Sequence, residues 1–221
     1  MGSLSRTSRQ PFLPLYDRVL FVDWHGVLSN GLFWDSIRKN PKKRFKGLAD
    51  EVHDQIFKES ADLVADWMRG AHSTEAVIDA AKPSLSDYQR KILISALKRD
   101  CRCMHISEEW RRLLTSKNRK CWIVIATDNA DCFWSQIDRI PEISRIFDGA
   151  LCSSNLKVLK RESPEEFFGG WLRSHGLEFT NSCLVDDSIQ NCEAFSGSGG
   201  SAIHFTSLST VSEEISAWLE Q

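Results

Sequence analysis

Four short, largely apolar runs, each stopping at a polar residue, constrain this chain more than any other feature. Val19–Val22 stops at Asp23, Trp122–Ala126 at Thr127 and Cys183–Val185 at Asp186, while Ala202–Phe205 follows a glycine pair. Such runs read as strands of a parallel sheet covered on both faces. Helical patterns lie between them. Ser163-Pro164-Glu165-Glu166 carries the N-cap, proline and glutamate of a helix start. Ser107 with Glu108 and Glu109 opens a second helix, whose Trp110, Leu113 and Leu114 form a stripe. Val211, Ile215, Trp218 and Leu219 give a third at the C-terminal end. Strand–helix alternation of this kind predicts an α/β fold, a Rossmann-like open parallel sheet.

The stretch 31–103 breaks the alternation. It holds helical stripes (Leu63, Val64, Trp67 and Met68, then Leu85, Tyr88, Ile92 and Ala96) and no convincing strand. We read it as a small all-helical domain inserted after the first strand of a core made of residues 1–30 and 104–221. Residues 1–12, rich in Ser and Arg, are expected to be a loose tail without a secretory signal.

Composition narrows function. The chain is 42% hydrophobic and 26% charged with a formal net charge of −2, which gives no global electrostatic reason to expect nucleic acid or a membrane surface as partner. No apolar run approaches bilayer length. Seven scattered cysteines without CxxC spacing read as reduced thiols in a cytoplasmic protein.

In an open parallel sheet the C-terminal strand ends converge on one crevice, where ligands bind. Asp23, Thr127, Asp186 and Asp187 should therefore face one another although far apart in sequence. Three carboxylates and a hydroxyl suit a hard cation such as Mg²⁺ and a phosphoryl group under attack.

Arg18-Val19-Leu20-Phe21-Val22-Asp23-Trp24-His25-Gly26-Val27-Leu28-Ser29 resembles the first motif of the haloacid dehalogenase-like (HAD) superfamily. Cys121–Thr127 is similar to its second, Ser154–Lys160 to its third, and Leu184-Val185-Asp186-Asp187-Ser188-Ile189-Gln190-Asn191 to its acidic fourth. The resemblance implies a HAD-like core with a helical cap and a Mg²⁺-dependent phosphatase acting on a small phosphorylated metabolite. Asp23 would be the nucleophile, forming an aspartyl-phosphate. Asp23, Asp187 and the backbone carbonyl of His25 would hold Mg²⁺, with Asp186 a further ligand or the holder of a coordinated water. Thr127 and Asp128 would bind the phosphate, and Lys160 would offset its charge, with Lys157 a competitor for that role.

His25 stands where most phosphatases of the family carry a second Asp. Imidazole can exchange protons near neutrality, so His25 is either the general acid and base or a spectator. Alternatives are a non-catalytic or regulatory binding protein on the same scaffold, a phosphotransferase, and a haloacid dehalogenase. The last would expose an anionic substrate to the Asp186-Asp187 pair without a cation. Two local features are left over. The basic run Arg38–Lys46 is either a solvated loop or a site for an acidic partner or polyanionic substrate. Trp24, Phe33 and Trp34 form either an apolar rim over a substrate or packing between cap and core. The histidines at 53, 72, 105, 175 and 204 show no ligand spacing.

Overall fold

A computed structural model describes residues 15–221 other than 32, 41–43, 117 and 141–142. The expected tail over residues 1–12, and Pro41, Lys42 and Lys43 at the centre of the basic run, lie outside the described residues. Among the described residues, five strands form one all-parallel sheet: β1 (Val19–Val22), β2 (Trp122–Thr127), β3 (Gly149–Cys152), β4 (Ser182–Asp186) and β5 (Ser201–His204). Their order is β3-β2-β1-β4-β5. Val22 pairs with Ile125 on one side and Val185 on the other, so Asp23 emerges between the ends of β2 and β4.

The continuous apolar runs follow from burial on both faces. Leu20, Val22, Ile123, Ile125, Cys183 and Val185 face one core, shared with the helices that follow β1. Val19, Phe21, Val124, Ala126 and Leu184 face the other, packed on Phe167, Phe168 and Phe195. The sequence reading misses β3. Its four residues, Gly-Ala-Leu-Cys, carry little strand propensity, and half of them are only partly buried at the sheet edge.

Over the described residues of 31–103, between β1 and β2, lie α1 (Asp35–Arg38), α2 (Lys46–Phe57), α3 (Ala61–Met68), α4 (Thr74–Ala81) and α5 (Asp87–Arg102). No strand interrupts them among the described residues. α6 (Glu108–Leu114) then leads to β2, with Ser107 accepting from the Trp110 amide at its N-cap. α7 (Asp131–Trp134), α8 (Ile143–Ile146), α9 (Ser153–Leu156), α10 (Pro164–Ser174), α11 (Ile189–Gly197) and α12 (Leu208–Glu220) complete the layers. Ser163 caps α10 by accepting from the Glu166 amide.

The α5 stripe differs in phase from the sequence reading. Ser86 and Gln89 form a capping box, so Leu85 lies before the helix, and the buried face runs through Leu93, Ala96, Leu97 and Cys101. Tyr88 falls off that face, is 62% exposed, and meets the Phe45 ring edge-on. In the basic run, Arg38 and Lys46 pair with Asp50 and Lys39 with Asp35.

The inserted helices are tied to the rest of the fold by polar bonds, part-buried at Asp131 and exposed at Arg69. Asp131, at the start of α7, accepts from the Trp67 indole at 3.1 Å, from the Thr74 amide, and from the Thr74 hydroxyl. Arg69 meets Glu162 through two nitrogens. Removing the Asp131 carboxylate leaves the Thr74 amide without this acceptor and weakens the hold on the Trp67 indole. Asp131→Ala should therefore lower stability by about 1–3 kcal/mol, read from the urea midpoint of unfolding.

Candidate active site

The site begins where β1 runs out of partners. Asp23 donates its amide to the Val185 carbonyl at 2.9 Å, extending the strand by one residue. Its Oδ1 accepts from the Trp24 amide at 2.7 Å, which fixes the side chain at the strand tip. The chain then turns sharply. Leu28 and Ser29 both donate to the Trp24 carbonyl, and Gly26 donates to that of Ser29. Gly26 has φ of 84°, a conformation that favours glycine, and a Cβ there would displace the Asp187 carboxylate, whose Oδ2 would stand 2.0 Å away.

Lys160 occupies the centre. Only 1% of its side chain is exposed, and Nζ meets Asp23 Oδ1 at 3.0 Å, Asp186 Oδ2 at 2.5 Å and the Ala126 carbonyl at 3.1 Å. An ammonium carries three N–H donors, and three oxygens take them. The Lys160 amide donates to Asp128 Oδ1 at 3.0 Å, tying the loop after β3 to the end of β2. Lys157 lies elsewhere: it is exposed, and its Nζ caps the Gly70 carbonyl at 2.8 Å. Geometry thus separates two lysines that the sequence left in competition.

Asp186 is fully buried. Its carboxylate also accepts from the Ser188 amide at 2.8 Å and from Asn191 Nδ2, a residue to which sequence reasoning gave no role. Asn191 sits in the first turn of α11, whose N-cap is Ser188. Asp187 is exposed at the mouth, and oxygens of Asp23, Asp186 and Asp187 all lie within 4.8 Å of one another. Thr127, the last residue of β2, is buried, and its Oγ1 has no hydrogen-bond partner among the described residues. A buried hydroxyl left in that state costs about 1–3 kcal/mol unless a ligand meets it.

The electrostatics are unbalanced. Four carboxylates (Asp23, Asp128, Asp186 and Asp187) converge on one ammonium. Burial, reinforced by the charge of Asp186, pushes the Asp23 carboxyl up to about 7 although Lys160 opposes the rise. Burial also raises Asp128. Partial burial and then the Asp186 charge raise Asp187. Burial works against the Lys160 ammonium, but Asp23, Asp186 and Asp128 outweigh it and hold the group well above its ordinary value. The crevice is therefore short of positive charge and has room for a cation.

A cavity of about 390 Å³ opens beside the crevice. His25, Asp128 and Asn129 line it, together with Trp24, Phe33, His53, Phe57, Met68 and Met104. The three aromatic residues expected to be either rim or packing divide. All three are buried; Trp24 and Phe33 line the cavity, whereas Trp34 does not and donates its indole N–H to the Leu93 carbonyl. His53, Phe57, Met68, Met104 and Asn129 were missed. Asn129, two residues beyond Thr127, carried a readable signal at a strand end; the others are selected only by tertiary packing.

Because the folded state holds a proton on Asp23 up to pH about 7, whereas an unfolded Asp releases it near 3.8, that stabilising contribution disappears as pH rises through about 7. In EDTA, stability measured by urea unfolding should therefore fall progressively from about pH 4 to about pH 7 and level off above it. Lys160→Met should steepen that fall and cost about 3–5 kcal/mol at pH 8, since it strips the buried carboxylates of their counter-ion. A flat profile in the variant would refute this account of the crevice.

No protein-family model and no curated protein matches the chain. Solved structures do. A HAD family enzyme from Bacteroides thetaiotaomicron, in complex with magnesium and inorganic phosphate, is similar at 18% identity and a TM-score of 0.63, over 86% of this chain and 94% of that one. A predicted HAD-like family hydrolase from Porphyromonas gingivalis gives 16% and 0.67, over 92% and 98%. A 2-haloacid dehalogenase from Pseudomonas syringae pv. Tomato gives 16% and 0.55, over 91% and 99%. At such identities the likeness shows the fold: a HAD-like α/β core.

Proposed function

We propose that the chain is a Mg²⁺-dependent phosphatase that hydrolyses a small organic phosphate through an aspartyl-phosphate on Asp23. The observation that carries this reading is the charge imbalance of the crevice, where carboxylate oxygens lie within 4.8 Å of one another beside an unpartnered Thr127 hydroxyl. An all-oxygen donor set of that kind fits a hard divalent cation. The similar enzyme from Bacteroides thetaiotaomicron, complexed with magnesium and inorganic phosphate, supports the same choice of ion. Asp23, Asp187 and the His25 carbonyl would hold the ion. Asp186, whose oxygens already accept from Lys160, Ser188 and Asn191, suits an outer role through a coordinated water. When bound, Mg²⁺ supplies positive charge to the phosphoryl oxygens and to the carboxylates that surround them.

The chain's own residues then divide the work. An Asp23 oxygen attacks phosphorus as the bond from phosphorus to the alcohol oxygen breaks. Lys160 favours the ionised form of Asp23 and offsets its repulsion from the substrate. Thr127 donates its free hydroxyl to a phosphoryl oxygen, with Asp128 beside it at the end of β2. His25, exposed on the cavity wall two residues beyond the nucleophile, gives a proton to the departing alkoxide. It takes one back from the water that cleaves the aspartyl-phosphate. Residues 31–103 act as the cap that closes over this crevice. Seven free cysteines, six of them buried, support a cytoplasmic setting, and no described helix is long and apolar enough to cross a membrane.

Haloacid dehalogenation is the second reading, because a dehalogenase is among the similar structures. The Asp186-Asp187 pair counts against it, since both would repel an anionic haloacid. Phosphate release from a panel of monoesters, with Mg²⁺ and with EDTA, should be metal-dependent and should vanish in Asp23→Asn. Halide release from a haloacid instead would reverse the assignment. His25→Asn should lower kcat by about 10²–10⁴-fold, and a loss under about tenfold would remove His25 from proton transfer.

A further inference from the structure

The cavity beside the crevice says what kind of alcohol the phosphate is attached to, an inference that rests on the phosphatase reading. Its volume of about 390 Å³ is at the small end of ligand pockets, room for a phosphate and one compact organic group. Four polar side chains, His25, His53, Asp128 and Asn129, line the cavity. The rest of the wall is apolar: Trp24 from the core, Phe33, Phe57 and Met68 from the inserted helices, and Met104 from the return segment. No lysine or arginine lines it among the described residues.

These walls are built rather than incidental. Phe33 and Phe57 pack against each other at 6.1 Å between ring centres, and both pack on the buried Trp67, at 5.4 and 6.2 Å. The Trp24 indole donates to Met104 Sδ at 3.2 Å, which fixes the core wall against the return segment. Ser153 Oγ donates to the Met68 carbonyl at 2.6 Å, fixing the end of α3 over the crevice. His53, its ring tilted by 40° at 4.8 Å from that of Phe57, also lines the cavity. Burial, opposed by its bond to Asp54, holds His53 below the ordinary imidazole value.

A second phosphate or a carboxylate placed there would be desolvated without a cationic partner, which is costly. A sugar would leave hydroxyls facing methionine and phenylalanine. From this geometry we propose that the substrate is the phosphate monoester of an uncharged aromatic alcohol, its ring seated between Phe33, Phe57, Met68 and Met104. Planar rings gain from edge and offset contacts with such walls as well as from leaving water.

The test matches the leaving groups so that only recognition differs. Benzyl phosphate and glycerol 3-phosphate both release a primary alkoxide, and the full chain is assayed on each with Mg²⁺. We expect kcat/KM to favour benzyl phosphate by about 10²-fold, within the range that apolar pockets supply. A preference under about tenfold overturns the proposal. Phe57→Ser should shrink the preference by about tenfold, with Met68→Gln as the second variant should the first fail to fold. An unaltered preference in a folded variant also overturns it. If neither ester is hydrolysed, the phosphatase reading has failed and the cavity is read separately. Calorimetry with Mg²⁺ should then show benzylphosphonate binding at least about tenfold tighter than methylphosphonate, and equal affinities would refute the assignment.

Discussion

The ammonium of Lys160 is the hinge of this structure. A charge with 1% exposure is tolerated only when its hydrogen-bonding capacity is met, and Asp23, Asp186 and the Ala126 carbonyl meet it from three different strands or strand ends. That requirement dictates how the ends of β1, β2 and β4 converge. It also dictates that the segment between β3 and α10 return across the sheet, where the Lys160 amide is held by Asp128. Without the lysine the converging carboxylates would be a source of repulsion at the middle of the fold. With it Asp23 and Asp186 are held close to one ammonium that favours their ionised forms.

How much of this was legible depended on whether the signal was local. The tips of β1, β2 and β4 could be read because an apolar run meeting Asp or Thr is a local pattern, and the pairing of Val22 with Ile125 and Val185 brings those tips together. β3 could not, because Gly149 and Ala150 have neither the size nor the branching that marks a strand; its pairing with β2 comes from the neighbouring chain. The α5 face was misphased for a similar reason. The capping box at Ser86 fixes where the helix starts, and only its contacts with the rest of the core decide that Leu93, rather than Tyr88, points inward. Lys157 and Lys160 differ by three residues in sequence and by everything in environment. The left-handed turn at Lys157, with φ of 66°, throws its side chain toward Gly70 and lets the chain carry Lys160 inward. The cavity walls were the least legible part, since Phe57, Met68 and Met104 are ordinary core-type residues until the insertion is laid over the sheet.

The crevice also shows a cost that a purely structural site would not carry. Carboxyls raised by burial and by one another, and a buried Thr127 hydroxyl with no partner among the described residues, each subtract from stability. Neither is needed to build the sheet, which is closed by apolar packing on both faces. Unspent polar capacity of this kind concentrates where a ligand is meant to complete the structure, and stability is given up there in exchange for activity.

The two halves of the site differ in physical character because different lengths of chain make them. The sheet supplies charge: Asp23, Lys160 and the Asp186-Asp187 pair, the first three held by hydrogen bonds to backbone and to one another. The inserted helices supply shape: Phe33, Phe57 and Met68, with no cation on the wall among the described residues. The bonds that join the halves, from the Trp67 indole to Asp131, from Ser153 to the Met68 carbonyl and from Arg69 to Glu162, stay outside the carboxylate cluster. On the proposed function, recognition of the alcohol would thereby be separated from chemistry at phosphorus. Replacing a wall residue changes which group fits without disturbing the Lys160 charge balance, so the inserted helices can diverge while the crevice beneath them keeps its constraints.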